Sequence, residues 1–147
     1  MRARLALAVL LSAVALAACG PVTGPSVRFE ASGAPLTSAG AEKLAASTDI
    51  GALSRVTTAE APSLRDEMLA QLRAEGAAGV RAAELLTAGF PERTASVPVL
   101  VRDCSVDGIA AVVVVEAYGD TGKTLTHRRL WVFDRATGAI LRAASFF

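Results

Sequence analysis

Residues 97–118 read VPVLVRDCSVDGIAAVVVVEAY, and this stretch combines two strand-like runs with a turn between them. Valine dominates both runs, and β-branched residues favour strands. The second run, Ile109–Val115, is apolar at every position, which indicates a strand that is buried on both faces and central in its sheet. The turn sequence SVDG is too short for a crossover, so the two strands must be antiparallel. The stretch therefore predicts a β-hairpin at the centre of a sheet.

Two more strand-like runs follow this hairpin. They span Thr126–Asp134 and Ala139–Phe147, and turn sequences GDTGK and RATG precede them. Such short connections again require antiparallel neighbours. Pro98 has no N–H for a β-ladder, which predicts that the first strand, Val97–Asp103, lies at an edge or starts late. We therefore expect a four-stranded antiparallel meander.

The region before the sheet has a helical pattern over Pro62–Ala88. Its apolar stripe has helical spacing and comprises Leu64, Met68, Leu69 and Leu72. Gly76 and Gly79 interrupt the pattern, and each glycine costs a helix about 1 kcal/mol relative to alanine. We expect a kink or two separate helices at this point.

Helices followed by an antiparallel sheet define an α+β fold, with the N-terminal helices packed on the four-stranded meander. A helix held by a curved meander resembles the cystatin-like and NTF2-like folds. That resemblance concerns topology alone, and such folds host both enzymes and inert binding proteins.

The N-terminus has the pattern of a secretory signal. Arg2 and Arg4 precede the run Leu5–Ala18, which is apolar except for Ser12. This run is shorter than the roughly 20 residues that a membrane-spanning helix needs. A basic start, a short apolar middle and small residues at the end are typical of a signal peptide.

The signal ends in LAAC at residues 16–19, which resembles the lipobox of bacterial lipoproteins. The resemblance implies that residues 1–18 are removed and that Cys19 receives a diacylglyceryl group with acyl chains such as palmitate. Two acyl chains hold a protein stably on a membrane. The expected location is the extracytoplasmic face of the bacterial cell membrane, with the lipid anchor on Cys19 as the membrane contact. An ordinary signal with a chance cysteine is the alternative.

Composition divides the rest of the chain into a tether and one domain. Residues 19–40 are rich in Gly, Pro, Ser and Thr and are expected to form a flexible tether, although Ser26–Ala31 alternates in the manner of a short edge strand. Residues 41–147 are expected to form a single α+β domain. Without Arg2 and Arg4, the mature chain has 13 basic and 14 acidic side chains, so no nucleic-acid partner is predicted.

Few residues could carry chemistry. Cys104 and His127 are the one nucleophile–base combination of the mature domain, but the meander separates them by roughly 30 Å, against a hydrogen-bond reach of about 3 Å. One histidine and one free cysteine do not make a zinc site without carboxylates. The mature chain contains no Walker, dinucleotide-binding or G-x-S-x-G motif, so no cofactor is predicted. Cys104 is expected either to remain a free thiol or to pair between chains.

The final hairpin has the most informative surface. With RATG as its turn, Asp134 would lie opposite Ala139, and Trp131 opposite Arg142. One face would then mix aromatic and basic side chains: His127, Arg129, Trp131, Phe133, Ile140, Arg142 and Phe146. The other face would be aliphatic: Leu130, Val132, Leu141 and Ala143. The mixed face is either a solvated surface with aromatics covered by arginine stems or a groove for an anionic or aromatic ligand or a partner protein. The candidate ligand-binding residues are His127, Arg129, Trp131, Phe133 and Arg142.

The segment LWVFDRATGAIL at residues 130–141 also resembles the tail of small actinobacterial lipoproteins, a resemblance that implies no activity. We therefore expect a secreted, lipid-anchored protein that binds a ligand or supports the cell envelope without catalysis. The alternative is an NTF2-like enzyme with a small pocket, whose acid and base groups would be Glu116 and His127.

Overall fold

The computed structural model describes residues 24–90 and 95–147. Within these ranges the chain forms three α-helices, one 3-10 helix and five strands. In chain order they are β1 (Arg28–Glu30), α1 (Ser38–Ser47), a 3-10 helix (Gly51–Arg55), α2 (Ala61–Ala74), α3 (Ala77–Ala88), β2 (Ser96–Val106), β3 (Ile109–Tyr118), β4 (His127–Asp134) and β5 (Ile140–Phe146).

The strands of the described residues form one sheet in the order β1-β2-β3-β4-β5. β1 is parallel to β2, whereas the other neighbours are antiparallel. The predicted four-stranded antiparallel meander is therefore wrong, because the sheet is five-stranded and mixed. The cystatin-like and NTF2-like resemblance depends on that four-stranded meander, and the five-stranded mixed sheet does not support it.

β1 lies inside the segment 19–40, for which the composition predicts a flexible tether. Its three residues pair with Leu100–Arg102, and a side-chain contact reinforces the pairing, since Nε of Arg102 donates to Glu30 at 2.5 Å. Phe29, between the two charged residues of β1, packs against the core. The first residues of α1 also lie in this segment, so residues before 41 contribute to the domain.

Helices cover both faces of the sheet. α1 packs on one face, where the buried cluster includes Ala41, Ala45, Leu100, Val113, Leu130 and Val132. α2 and α3 pack on the other face, where the cluster includes Leu72, Leu86, Val101, Val112, Val114 and Phe133. Consecutive valines of β3 thus point to opposite layers, as the continuous apolar run of this strand predicts. β3 is the middle strand of the five described, which confirms its predicted central position.

The helical region breaks in two, as the glycines predict. α2 ends at Ala74 and α3 begins at Ala77, with Gly76 between them at a φ of +81°. That left-handed conformation favours glycine. At Gly79 the reason is space, because a Cβ there would lie 2.0 Å from the carbonyl oxygen of Leu72. The two glycines therefore allow α3 to turn back closely against α2.

β2 is an inner strand and begins at Ser96, two residues before Pro98. Both predicted alternatives for this strand, an edge position and a late start, are therefore wrong. β1 pairs only with Leu100–Arg102, which leaves Pro98 beside β3 alone. The β2–β3 register also shifts between Pro98 and Leu100. Proline is tolerated inside a sheet at such irregular, singly paired positions.

The register of the last hairpin differs from the predicted one. Trp131 lies opposite Ala143, and Val132 lies opposite Arg142. The cause is a β-bulge at Leu141, which has no partner in β4 and is 42% exposed. One extra residue sends every later side chain to the other face. Arg142 therefore lies on the α1 face, away from Trp131, and Leu141 is not a core residue.

Candidate functional site

The structure brings four of the five predicted binding residues to one face and separates the fifth. His127, Arg129, Trp131 and Phe133 alternate along β4 and face the α2–α3 layer. Arg142 lies on the opposite face, where its guanidinium contacts the carboxylate of Glu42 in α1. The cation–aromatic pair expected between Trp131 and Arg142 is thus absent from the described structure.

Phe133 belongs to the core and not to a binding surface. It is 1% exposed and packs in the cluster formed by α2, α3 and the central strands. Its ring lies 6.4 Å from that of Trp131 and 6.5 Å from that of Phe90, measured between centroids. Phe133 therefore packs against the rings of Trp131 and Phe90 but is not accessible to a ligand.

Three of the predicted residues and one residue of β3 form a surface that we call the arginine–aromatic patch: His127, Arg129, Trp131 and Tyr118. Tyr118 ends β3 and pairs with His127 at the start of β4. Their ring centroids are 5.4 Å apart. The guanidinium carbon of Arg129 lies 4.2 Å from the centroid of Tyr118 and 5.7 Å from that of Trp131. All four side chains are partly buried. The patch therefore offers a ligand both aromatic rings and a cation that is stacked on them.

Arg129 has no polar partner among residues 24–90 and 95–147. Within those ranges the other partly or fully buried arginines each donate to an oxygen: Arg65, Arg81, Arg102, Arg128 and Arg135. For Arg129 the described contacts are the two aromatic rings. Nδ1 of His127 is likewise buried without a hydrogen-bond partner in the described part of the chain. That buried nitrogen is not open to a ligand, so the hydrogen-bonding capacity available to an anion is that of the Arg129 guanidinium.

Trp131 is held in place by a buried carboxylate. Its Nε1 donates to Oε2 of Glu116 at 2.9 Å, and Phe90 packs on its ring with a centroid distance of 4.8 Å. The indole is therefore fixed both by a hydrogen bond and by stacking. A fixed indole next to Arg129 keeps the patch in one geometry without a ligand.

Glu116 is itself the centre of a buried polar network. It is 0% exposed, and Arg65 from α2, 5% exposed, donates to its Oε1 at 2.5 Å. Arg65 also donates to the carbonyl oxygens of Ser96 and Leu86, and the Ser96 hydroxyl donates to Glu116. Both carboxylate oxygens and both terminal guanidinium nitrogens are thus hydrogen-bonded. Such a network ties α2 and α3 to the sheet beneath the patch.

Two cavities of the structure lie away from these groups. One of about 300 Å³ is lined by Thr58, Ala95 and Gly122, and another of about 190 Å³ lies beside Ile50 and Val99. Neither is lined by Glu116 or by a residue of the arginine–aromatic patch. The acid–base groups of the enzyme hypothesis therefore do not line these two cavities.

Cys104 and His127 are far apart. Cys104 pairs with Ala111 and His127 with Tyr118, positions seven residues apart on β3, which corresponds to about 23 Å. Cys104 also faces the α1 layer, the opposite side of the sheet. Its burial raises the pKa of the thiol, which keeps the less reactive protonated form. Among the described residues no group of three or more His, Cys, Asp or Glu side chains could hold a metal ion.

Two residues of this region were missed by sequence reasoning. Arg65 follows the helical spacing of Met68, Leu69 and Leu72, and a charge on an apolar stripe signals a buried partner. Tyr118 joins the patch only through the β3–β4 register. The connecting loop between those strands is eight residues long, so the register could not be deduced from a short turn.

Cys19 and the signal at residues 1–18 lie outside the described residues. In the described part of the chain, no helix has both the length and the hydropathy to cross a membrane. In comparisons with known proteins, no family model, curated protein or solved structure matches the chain.

Proposed function

We propose that this chain is a lipid-anchored protein of the extracytoplasmic face of the bacterial cell membrane, and that it binds a small anionic ligand without catalysis. The anchor is proposed from the LAAC motif at residues 16–19. The binding site is the arginine–aromatic patch, whose rings give stacking area and whose cation gives selectivity for negative charge.

The observation that supports the binding proposal is that the side chain of Arg129 forms no hydrogen bond or ion pair with another described residue. Its guanidinium is held over Tyr118 and lacks a carboxylate or carbonyl partner among the described residues. The guanidinium nitrogens of Arg129 are not among the buried atoms that lack a partner, so they are accessible to solvent and to an anion. An anion bound in the plane of the guanidinium would supply the missing hydrogen bonds while the rings stay stacked on its faces.

Trp131 makes this proposal directly measurable, because it is the one tryptophan of the chain and lies beside Arg129. We expect benzoate, an aromatic carboxylate, to change the fluorescence of Trp131 saturably, with weaker binding as the salt concentration rises. Arg129→Met keeps most of the stem but removes the charge and should abolish the saturable change.

The matched control is Arg73→Met, which removes an exposed arginine on α2 for which no ion pair is described. This variant should bind benzoate as the wild-type protein does. An equal loss of binding in both variants would mean that general surface charge, not the patch, attracts the anion. Unchanged binding in Arg129→Met would refute the proposed site.

The anchor is tested separately. Cys19→Ala removes the thiol that would receive the lipid, so we expect the domain to be released into the medium or retained as an uncleaved precursor. Cell fractionation and the mass of the N-terminal peptide measure this. Normal processing of the variant together with firm membrane attachment would contradict lipidation at Cys19.

A further inference from the structure

β5 is an open edge of the sheet with an apolar sequence. It pairs with β4 alone within the described sheet, so its outer backbone groups are left without ladder partners. Apolar exposure is concentrated here: Ile140 is 50%, Leu141 42% and Phe147 90% exposed. These are three of the five exposed large hydrophobic residues among those described. An open edge of this kind is a template on which another strand can pair.

We propose that β5 pairs with β5 of a second copy of this chain, antiparallel about a two-fold axis at Ala144. A two-fold interface uses the same surface on both copies and must therefore be complementary to itself. With Ala144 opposite Ala144, the bulged residue Leu141 lies opposite Phe147 of the second copy. The exposed side chains of Leu141 and Phe147, which flank the regular part of the strand, then cover each other twice. The ring of Phe147 also lies 5.0 Å from that of His127 in its own chain, so this contact would form beside the arginine–aromatic patch.

The charge pattern of β5 favours the same register. Arg142 is the one charged residue of the segment 140–147. The two-fold axis places it opposite Phe146 of the second copy and separates the two arginines by four residues along the strand. Its charge is already paired with Glu42 of its own chain. Like charges directly opposite each other destabilise a strand pair, and this register avoids them.

The centre of the strand is suited to close contact. Ala143, Ala144 and Ser145 are small, so neither face of the sheet presents a bulky side chain at the axis. The paired segment is short, and such an interface is weak in dilute solution. The lipid anchor proposed above would increase the local concentration of the chain, but the pairing itself does not depend on the anchor.

The register predicts which cysteine substitutions form a disulfide. Directly opposite residues of antiparallel strands have Cα atoms about 4.5–5.5 Å apart, within the range of a disulfide. Ala144→Cys should therefore give a covalent dimer. Ala143→Cys or Ser145→Cys alone should not, since each would be about 8 Å from its own copy across the axis. The double variant of 143 and 145 should cross-link, because these two positions face each other.

The experiment uses the full chain with Cys104→Ala, expressed in whole bacterial cells, treated with a mild oxidant and separated on a non-reducing gel. The same chain without an added cysteine gives the background that Cys19 contributes. Ala70→Cys, at an exposed position of α2, measures random collision. We expect the dimer fraction of Ala144→Cys to exceed that of Ala70→Cys at least fivefold. A similar dimer fraction for both, or a maximum at Ala143→Cys or Ser145→Cys, would overturn the proposal.

A charge exchange provides a second test at exposed positions, where folding should be preserved. In the Ala144→Cys chain, Leu141→Lys or Phe147→Glu alone should lower the dimer fraction several-fold. The two together should restore it, because they place opposite charges across the interface.

Fractionation of the same cells shows whether the chain is membrane-bound, so failure of the anchor is distinguished from failure of the pairing. The proposal would also be overturned if the dimer fraction were the same in Leu141→Lys, in Phe147→Glu, in the combination of the two and in the Ala144→Cys chain without them.

Discussion

Glu116→Ala is expected to lower the free energy of unfolding by about 3–5 kcal/mol, because it leaves the guanidinium of Arg65 buried without its counter-charge. Arg65 is 5% exposed and Glu116 0%, so bulk water does not solvate either group in the folded protein. The Ser96 hydroxyl and the Trp131 indole lose their acceptor as well. Chemical denaturation followed by far-UV circular dichroism measures the change.

Two further variants test the cause of this loss. Arg65→Met combined with Glu116→Leu removes both charges and should recover a large part of the lost stability, since apolar replacements of a buried ion pair are often neutral or stabilising. Glu84→Gln removes the carboxylate of the exposed pair with Arg81 and should cost less than about 1 kcal/mol. A loss below about 1 kcal/mol in Glu116→Ala would show that the network is open to solvent.

Phe133→Ala is expected to lower the free energy of unfolding by about 3–5 kcal/mol, the usual cost of deleting a fully buried aromatic ring. Phe133 is 1% exposed and is enclosed by α3, the sheet and Phe90. A substantial part of a typical stability of about 5–15 kcal/mol would be lost. Thermal and denaturant melts of the purified protein measure the effect.

Leu141→Ala is the matched comparison. The predicted register placed Leu141 in the core and Phe133 on the ligand face, whereas the bulge exposes Leu141 by 42%. Its truncation should cost under about 1 kcal/mol, since exposed positions seldom contribute more. A larger loss at Leu141 than at Phe133 would favour the predicted register over the observed one.

Local patterns were sufficient where a signal and its structural consequence lie close together in the chain. The apolar run Ile109–Val115 predicted a central strand, and β3 is central in the described sheet. Gly76 and Gly79 predicted the break between α2 and α3, and the break occurs there. Both are consequences of periodicity and backbone freedom within about ten residues, which the sequence displays directly.

Long-range pairing was not predictable in the same way. β1 is three residues long and pairs with a strand about seventy residues later, so no local pattern indicates a parallel partner. The Arg65–Glu116 ion pair likewise joins residues 51 positions apart. Charge and spacing mark Arg65 as unusual on its helix, but they do not identify which carboxylate it meets.

For the candidate site, the sequence by itself determined that basic and aromatic residues alternate along β4, because strand residues two apart share a face. The signal and lipobox at residues 1–19 are also read from sequence alone and stay a prediction. Only the tertiary structure decided that Arg129 is stacked on Tyr118 without a described ion-pair partner, that Phe133 is core, and that Arg142 lies on the other face. Arg142 lies on the other face because the one unpaired residue at Leu141 reverses the side chains that follow it. The burial of Phe133 has a different cause, because α2 and α3, which lie far from β4 in the chain, cover that face of the sheet. The contact of Arg129 with Tyr118 follows from the register between β3 and β4, which an eight-residue loop does not determine locally.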